Sequence, residues 1–121
     1  MTAIILLGHG SRRAEANCAL ETVAQDLRDL LGDVWVEPAF LQMAPPTLAA
    51  AVADCVQAGA DRIVVQPFFL FPGAHVLQDI PEAVAELRRL YAHVEIVLAP
   101  HLGTHRKLAE IAAERLREVL P

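Results

Sequence analysis

The sequence predicts an α/β fold: a flavodoxin-like, doubly wound, four-stranded parallel sheet with helices on both faces. Apolar strand-like runs alternate four times with amphipathic helical stretches, with no linker, repeat or low-complexity segment between them. The strand runs are apolar almost throughout, as strands covered on both faces require. Right-handed crossovers then favour the strand order 2-1-3-4.

The first strand covers about Thr2–Leu7, where every residue from Ala3 onward is apolar. The first helix, about Ala14–Leu31, carries Ala16, Leu20, Val23, Leu27 and Leu30 on one stripe at the helical period, and Gly32-Asp33 ends it. Val34–Phe40 reads as the second strand. Pro45-Pro46 closes the next loop and starts a helix running through Ala58, with Leu48, Val52 and Cys55/Val56 inward. Gly59 is its expected C-terminal cap. Arg62–Gln66 is the third strand. Asp79-Ile80-Pro81-Glu82 matches a capping box, so the third helix is expected to open near Asp79, with Ile80, Ala83/Val84, Leu87 and Leu90 inward. Val94–Leu98 is the fourth strand. The last helix runs from about His105, with Leu108, Ile111, Leu116 and Val119 inward.

A chain of 121 residues is expected to form one domain, 1–121. Hydrophobic residues at 55% against 21% charged exclude a disordered chain. A net charge of −5 argues against a general nucleic-acid binder, which needs a basic face. The apolar runs are too short to span a membrane, and Pro67 and Pro72 interrupt the most hydrophobic region. The start has no basic segment or cleavage site of a signal peptide, so a cytoplasmic location is expected. Cys18 and Cys55 form no CxxC; both fall on apolar helix faces and read as small buried hydrophobes in a reducing compartment.

Two histidines stand out. His9 follows the first strand and lies between Gly8 and Gly10, which let the backbone turn sharply and expose the side chain. His75 follows the third strand through the loop Phe68-Phe69-Leu70-Phe71-Pro72-Gly73-Ala74. In the order 2-1-3-4 the topological switch point lies between the first and third strands, where ligands bind outside the carboxyl ends. The two imidazoles therefore share one edge, beside a loop holding three of the chain's four phenylalanines. Neutral imidazoles beside an aromatic wall point to a metal handled next to a large flat ligand.

Other residues at that edge have plainer readings. His101 and His105 also follow a strand, whereas His93 precedes one and lies at the opposite edge. Gly8-His9-Gly10-Ser11 at a strand-to-helix junction fits a phosphate cradle, but neither GxGxxG nor Gly-Lys-Ser/Thr is present. Ser11 is a candidate helix cap, and Arg12-Arg13 suit ligand carboxylates. Gln42 is a neutral hydrogen-bonding group at the active edge. Glu37, inside a strand, has to be exposed or paired. Asp79 reads first as a cap and second as a group orienting His75.

Four motifs occur in order: Leu7-Gly8-His9-Gly10-Ser11-Arg12, Val36-Glu37-Pro38-Ala39-Phe40-Leu41, Phe68-Phe69-Leu70-Phe71-Pro72-Gly73-Ala74-His75, and Gln78-Asp79-Ile80-Pro81. Over nearly its whole length the chain resembles the sirohydrochlorin chelatase family of CbiX/SirB type, in its small single-domain form. The resemblance implies a class II chelatase that inserts Co²⁺ or Fe²⁺ into sirohydrochlorin without ATP, for cobalamin or sirohaem, with Ni²⁺ not separated from these. It implies a homodimer and no cofactor beyond the substrate metal ion. The family's metal-handling and catalytic histidines fall on His9 and His75. Ser11, Arg12, Phe69, Phe71 and Gly73 are the implied tetrapyrrole contacts. Where relatives commonly have Met/Leu-Glu-x-Ala-Glu-Pro, this chain has Leu41-Gln42-Met43-Ala44-Pro45-Pro46, so two acidic positions are neutral. Ala74 stands where relatives often have Arg. Two rival readings keep the fold: a non-catalytic metal or tetrapyrrole carrier, and a phosphate-binding enzyme using Gly8–Ser11.

Overall fold

The computed structural model describes residues 1–121. Its elements are β1 (Thr2–Gly8), α1 (Ala14–Leu31), β2 (Trp35–Phe40), α2 (Leu48–Gln57), β3 (Arg62–Pro67), α3 (Ala74–Leu90), β4 (Glu95–Leu98) and α4 (Arg106–Arg117). The four strands form one parallel sheet in the order β2-β1-β3-β4, as expected. β1 and β3 are neighbours in register Leu7↔Pro67, so the loops that follow them leave the sheet side by side.

Strand alternation divides the core between the two faces. Ala3, Ile5 and Leu7 of β1, Ile63 and Val65 of β3 and Ile96 of β4 meet α2 and α3 in one cluster of 16 buried residues. Leu6, Val36 and Phe40 face the other way, onto Leu20 and Ala24 of α1, in a cluster of five. Ile5, Leu6, Leu7, Ile63 and Val65 are fully buried; burial of each contributes about 1.5–3 kcal/mol. Both outer strands are closed by an arginine eight residues upstream. Arg28 of α1 donates to the Val36 carbonyl of β2, and Arg88 of α3 to the Ile96 carbonyl of β4 at 2.9 Å. Pro38 removes a further donor from the β2 edge.

Several expectations are corrected. The helix expected from Pro45-Pro46 begins at Leu48 instead, because the Pro46 carbonyl accepts from the Phe40 N–H at 2.9 Å and Thr47 is the cap, its hydroxyl accepting from Ala50 N–H. Gly59 takes the left-handed position just after α2, at φ 99°. The third helix opens at Ala74, not near Asp79, so Asp79 is no cap and Pro81 lies inside the helix. The local signal misled because Asp and Pro usually mark a first turn; here Ile80, Val84 and Leu87 are buried against the sheet, and that packing carries α3 through Pro81.

The apolar stripes are also narrower than expected. Ala16, Leu30 and Leu90 are exposed, and Cys18 faces solvent while Cys55 is buried. α4 buries no residue: Ile111 and Leu116 are exposed, as is Val119 just beyond the helix, and only Leu108 and Ala113 are half-covered. Its periodicity is amphipathic, but no element of this chain covers the apolar face. No helix is long and apolar enough to cross a membrane.

Candidate functional site

The end of β1 is shaped by two glycines: Gly8, where a side chain would displace Leu20, and Gly10, which admits none. A Cβ on Gly8 would lie 2.8 Å from Leu20 Cδ2, so this residue lets α1 approach the strand. Gly10 has φ 95°, and a Cβ there would lie 1.8 Å from the Gln42 carbonyl oxygen. The loop after β1 and the loop after β2 are thus pressed together. Leu41 N–H donates to Gly8 O at 3.0 Å and Gln42 N–H to His9 O at 3.2 Å.

This backbone clamp delivers the side chains of His9 and Gln42 to the same point. Gln42 Nε2 lies 3.0 Å from His9 Nε2. The Phe69 ring meets the imidazole edge-on, with centroids 6.3 Å apart and an interplanar angle of 86°. His9 itself is exposed. The three loop phenylalanines divide as successive residues of an extended chain do. Phe68 packs against the α1 cluster and Phe69 against the larger one. Phe71 is 77% exposed.

His75 is positioned differently. It lies in the first turn of α3, after Gly73 as N-cap, so it belongs to a helix and not to the preceding loop. Its Nε2 is 3.2 Å from Asp79 Oδ2, one turn along, and its side chain is 91% exposed. Asp79, expected first as a cap, therefore holds His75. No group of three or more His, Cys, Asp or Glu side chains converges on an ion-sized point anywhere in the chain. The strand ends offer two imidazoles, one backed by an amide and the other by a carboxylate.

Ser11 is engaged within its own loop. Its N–H donates to Asn17 Oδ1 (3.1 Å), its carbonyl accepts from Asn17 Nδ2 (2.8 Å), and its hydroxyl accepts from Arg13 N–H (3.0 Å). The helix cap proper is Arg13, which offers no side-chain cap bond. Asn17, which sequence reasoning missed, therefore occupies the Ser11 amide that an anion cradle would need. Arg12 and Arg13 are exposed and form no ion pair within the chain.

Two small concavities flank the site. One, of ≈ 300 Å³, runs from His9 and Ser11 to Asn17, Leu20 and Phe68. The other, of ≈ 280 Å³, is bounded by Phe69, Pro72, Leu77, Leu98 and His101. His75 lines neither. The second is tied to the site by Leu102 N–H donating to Phe69 O at 3.1 Å, and by Gln66 Nε2 donating to Pro100 O at 2.8 Å. His105 is a capping residue, its Nδ1 accepting from Lys107 N–H at 3.0 Å.

The largest groove, of ≈ 1190 Å³, lies elsewhere, along β2 toward the strand N-termini, among Arg28, Trp35, Glu37, Asp54 and Ala58. Glu37 is half-buried there. Desolvation first, and a hydrogen bond to Asp54 second, raise its carboxyl above the ordinary value. Burial, followed by the neighbouring charges of Glu37 and Asp54, pushes the Cys55 thiol up to about 12 and keeps it protonated.

A doubly wound sheet with exposed imidazoles following β1 and β3, its two central strands, defines a class of α/β proteins whose ligands bind outside the carboxyl ends of the strands, at the topological switch point. The chain belongs to the CbiX family, whose sequence model matches residues 3–119. It is 38% identical over 117 residues to the chloroplastic sirohydrochlorin ferrochelatase of Arabidopsis thaliana, covering 97% of this chain and 52% of that protein. It is 32% identical over 140 residues to the sirohydrochlorin cobaltochelatase of Methanopyrus kandleri, covering 99% and 98%. In structure it is similar to the sirohydrochlorin chelatase SirB of Bacillus subtilis subspecies spizizenii in complex with cobalt. The TM-score is 0.89 at 27% identity, over 98% of this chain and 50% of that one. The chain thus spans about half the length of the plant and Bacillus proteins and nearly all of the archaeal one.

Proposed function

We propose that this chain inserts a divalent metal, Co²⁺ or Fe²⁺, into sirohydrochlorin without ATP, with His9 and His75 handling the ion. The observation that carries this reading is the pair of exposed imidazoles following adjacent central strands, each with one fixed partner, in a chain of the CbiX family. Neutral imidazole suits borderline divalent ions, and two such ligands leave coordination positions open for pyrrole nitrogens. Insertion replaces two pyrrole protons by the metal, so two protons must leave. As the ion passes to the ring, the freed His9 lone pair can accept one of them, and the other leaves to solvent at this exposed edge. Phe69 and Phe71 would pack against the macrocycle. The uncommitted guanidinium of Arg12 suits its peripheral carboxylates, and Ser11 and Gly73 line the approach. The occupied Ser11 amide disfavours the phosphate-cradle alternative.

The same reading includes a homodimer. The apolar face of α4, with Ile111, Leu116 and Val119 exposed, is what a second copy would cover, and some relatives are twice as long as this chain. It also includes a cytoplasmic setting, which two unpaired thiols suit.

The test is multiple-turnover insertion of Co²⁺ and of Fe²⁺ (anaerobically) into excess sirohydrochlorin, followed by absorbance, with sedimentation of the same sample. Many turnovers per chain support an enzyme. A single stoichiometric binding event without metallated product would make the protein a carrier. A monomer in sedimentation would remove the dimer, and Leu116→Glu is expected to dissociate it.

A further inference from the structure

We propose that Gln42 is a positioning residue for His9: it holds the imidazole in the Nδ1–H tautomer and is displaced when a metal ion takes Nε2. An amide nitrogen carries no available lone pair, so Gln42 Nε2, at 3.0 Å from His9 Nε2, can only donate. His9 Nε2 is then the acceptor and bears no proton, and the ring proton sits on Nδ1. The backbone enforces this contact. Gly10 packs so tightly on the Gln42 carbonyl that no other residue fits, and the Gln42 N–H is bonded to His9 O. The Phe69 ring stands perpendicular to the same imidazole.

The consequence is chemical. A nitrogen held as an acceptor can pass to a metal ion by exchanging one hydrogen bond, with no proton lost from His9. The same bond must be broken in the loaded state, so it weakens retention of the ion and favours handing it on. A carboxylate at this position would act in the opposite sense, as an additional donor holding the ion. The tautomer rests on the geometry alone; displacement by metal rests on the proposed function.

The test uses the whole chain with ¹⁵N-labelled histidine, above the imidazole titration range, with His9→Ala for assignment. In the wild type His9 is expected in the Nδ1–H form. In Gln42→Ala and in the similarly shaped Gln42→Met, the tautomer ratio is expected to move about two- to tenfold toward Nε2–H, the effect of one lost hydrogen bond, with unchanged circular dichroism. Titrated with Co²⁺ alone, Gln42→Ala is expected to bind more tightly by a similar factor. An Nε2–H form in the wild type, or one ratio in all three proteins, overturns the proposal. Weaker Co²⁺ binding in Gln42→Ala also overturns it, because the amide would then be a ligand. A tautomer shift without any Co²⁺ binding at His9 contradicts the chelatase reading and the displacement with it, and upholds the tautomer assignment.

Discussion

Toward the strand N-termini the molecule has its largest groove, ≈ 1190 Å³, charged along its walls and lined by the Glu37 carboxyl, with the buried Cys55 thiol behind it; both groups have raised pKa values. At the carboxyl ends the concavities are ≈ 300 and ≈ 280 Å³, and the groups beside them are open imidazoles, an amide and phenylalanine rings. Size and perturbed titration point to the first region, while donor chemistry and topology point to the second. The difference is instructive because both raised pKa values have a packing cause. Glu37 and Cys55 are shifted first by desolvation, which penalises the charged form that a metal ligand needs, and burial keeps the Cys55 thiol protonated. His9 and His75 stand in solvent and offer lone pairs.

The largest expected effect lies at the carboxyl end. His9→Ala and His75→Ala are each expected to lower metal insertion on the order of 10²-fold or more, with unchanged melting temperature because both side chains are exposed. Full activity in either variant would remove that residue from the mechanism and weaken the contrast. A smaller loss is expected for Asp79→Asn. The carboxylate behind His75 orients it as an outer partner orients a metal ligand, and its loss is expected to cost about tenfold in activity. Activity equal to wild type would make the ion pair a helix-surface contact only.

The smallest effect is at the other end. Because the Glu37 pKa is raised on folding, the folded state binds this proton more tightly than the unfolded one. Its stability contribution is present in acid and is lost as pH rises through the raised value. Glu37→Gln is therefore expected to raise the melting temperature at neutral pH, to leave it unchanged in acid, and to leave metal insertion untouched. A loss of insertion in Glu37→Gln would make the large groove functional and break the comparison.

Much of this arrangement was legible in the sequence. The strand order follows from apolar runs and crossover handedness, and it places His9 and His75 after neighbouring strands. What failed were inferences from local signals. Asp79-Ile80-Pro81 resembles a helix start, yet the packing of Ile80, Val84 and Leu87 sets the helix and carries it through Pro81. The period of α4 announced an apolar face but could not reveal whether anything covers it. The Gln42–His9 contact joins residues 33 apart through a clamp that depends on the two glycines, and the Asn17 side chain folding back on Ser11 leaves no pattern at all. The substitution of an amide for an acid at position 42 was readable; its hydrogen bond was not.

The most direct test of metal handling at the carboxyl end is a titration of the protein with paramagnetic Co²⁺, without tetrapyrrole, followed by NMR of the histidine rings and the Trp35 indole. The account predicts early, selective broadening of His9 and His75, with Trp35 in the large groove and His93 at the opposite edge unaffected. Broadening of Trp35 first, or none at either His9 or His75, would contradict it.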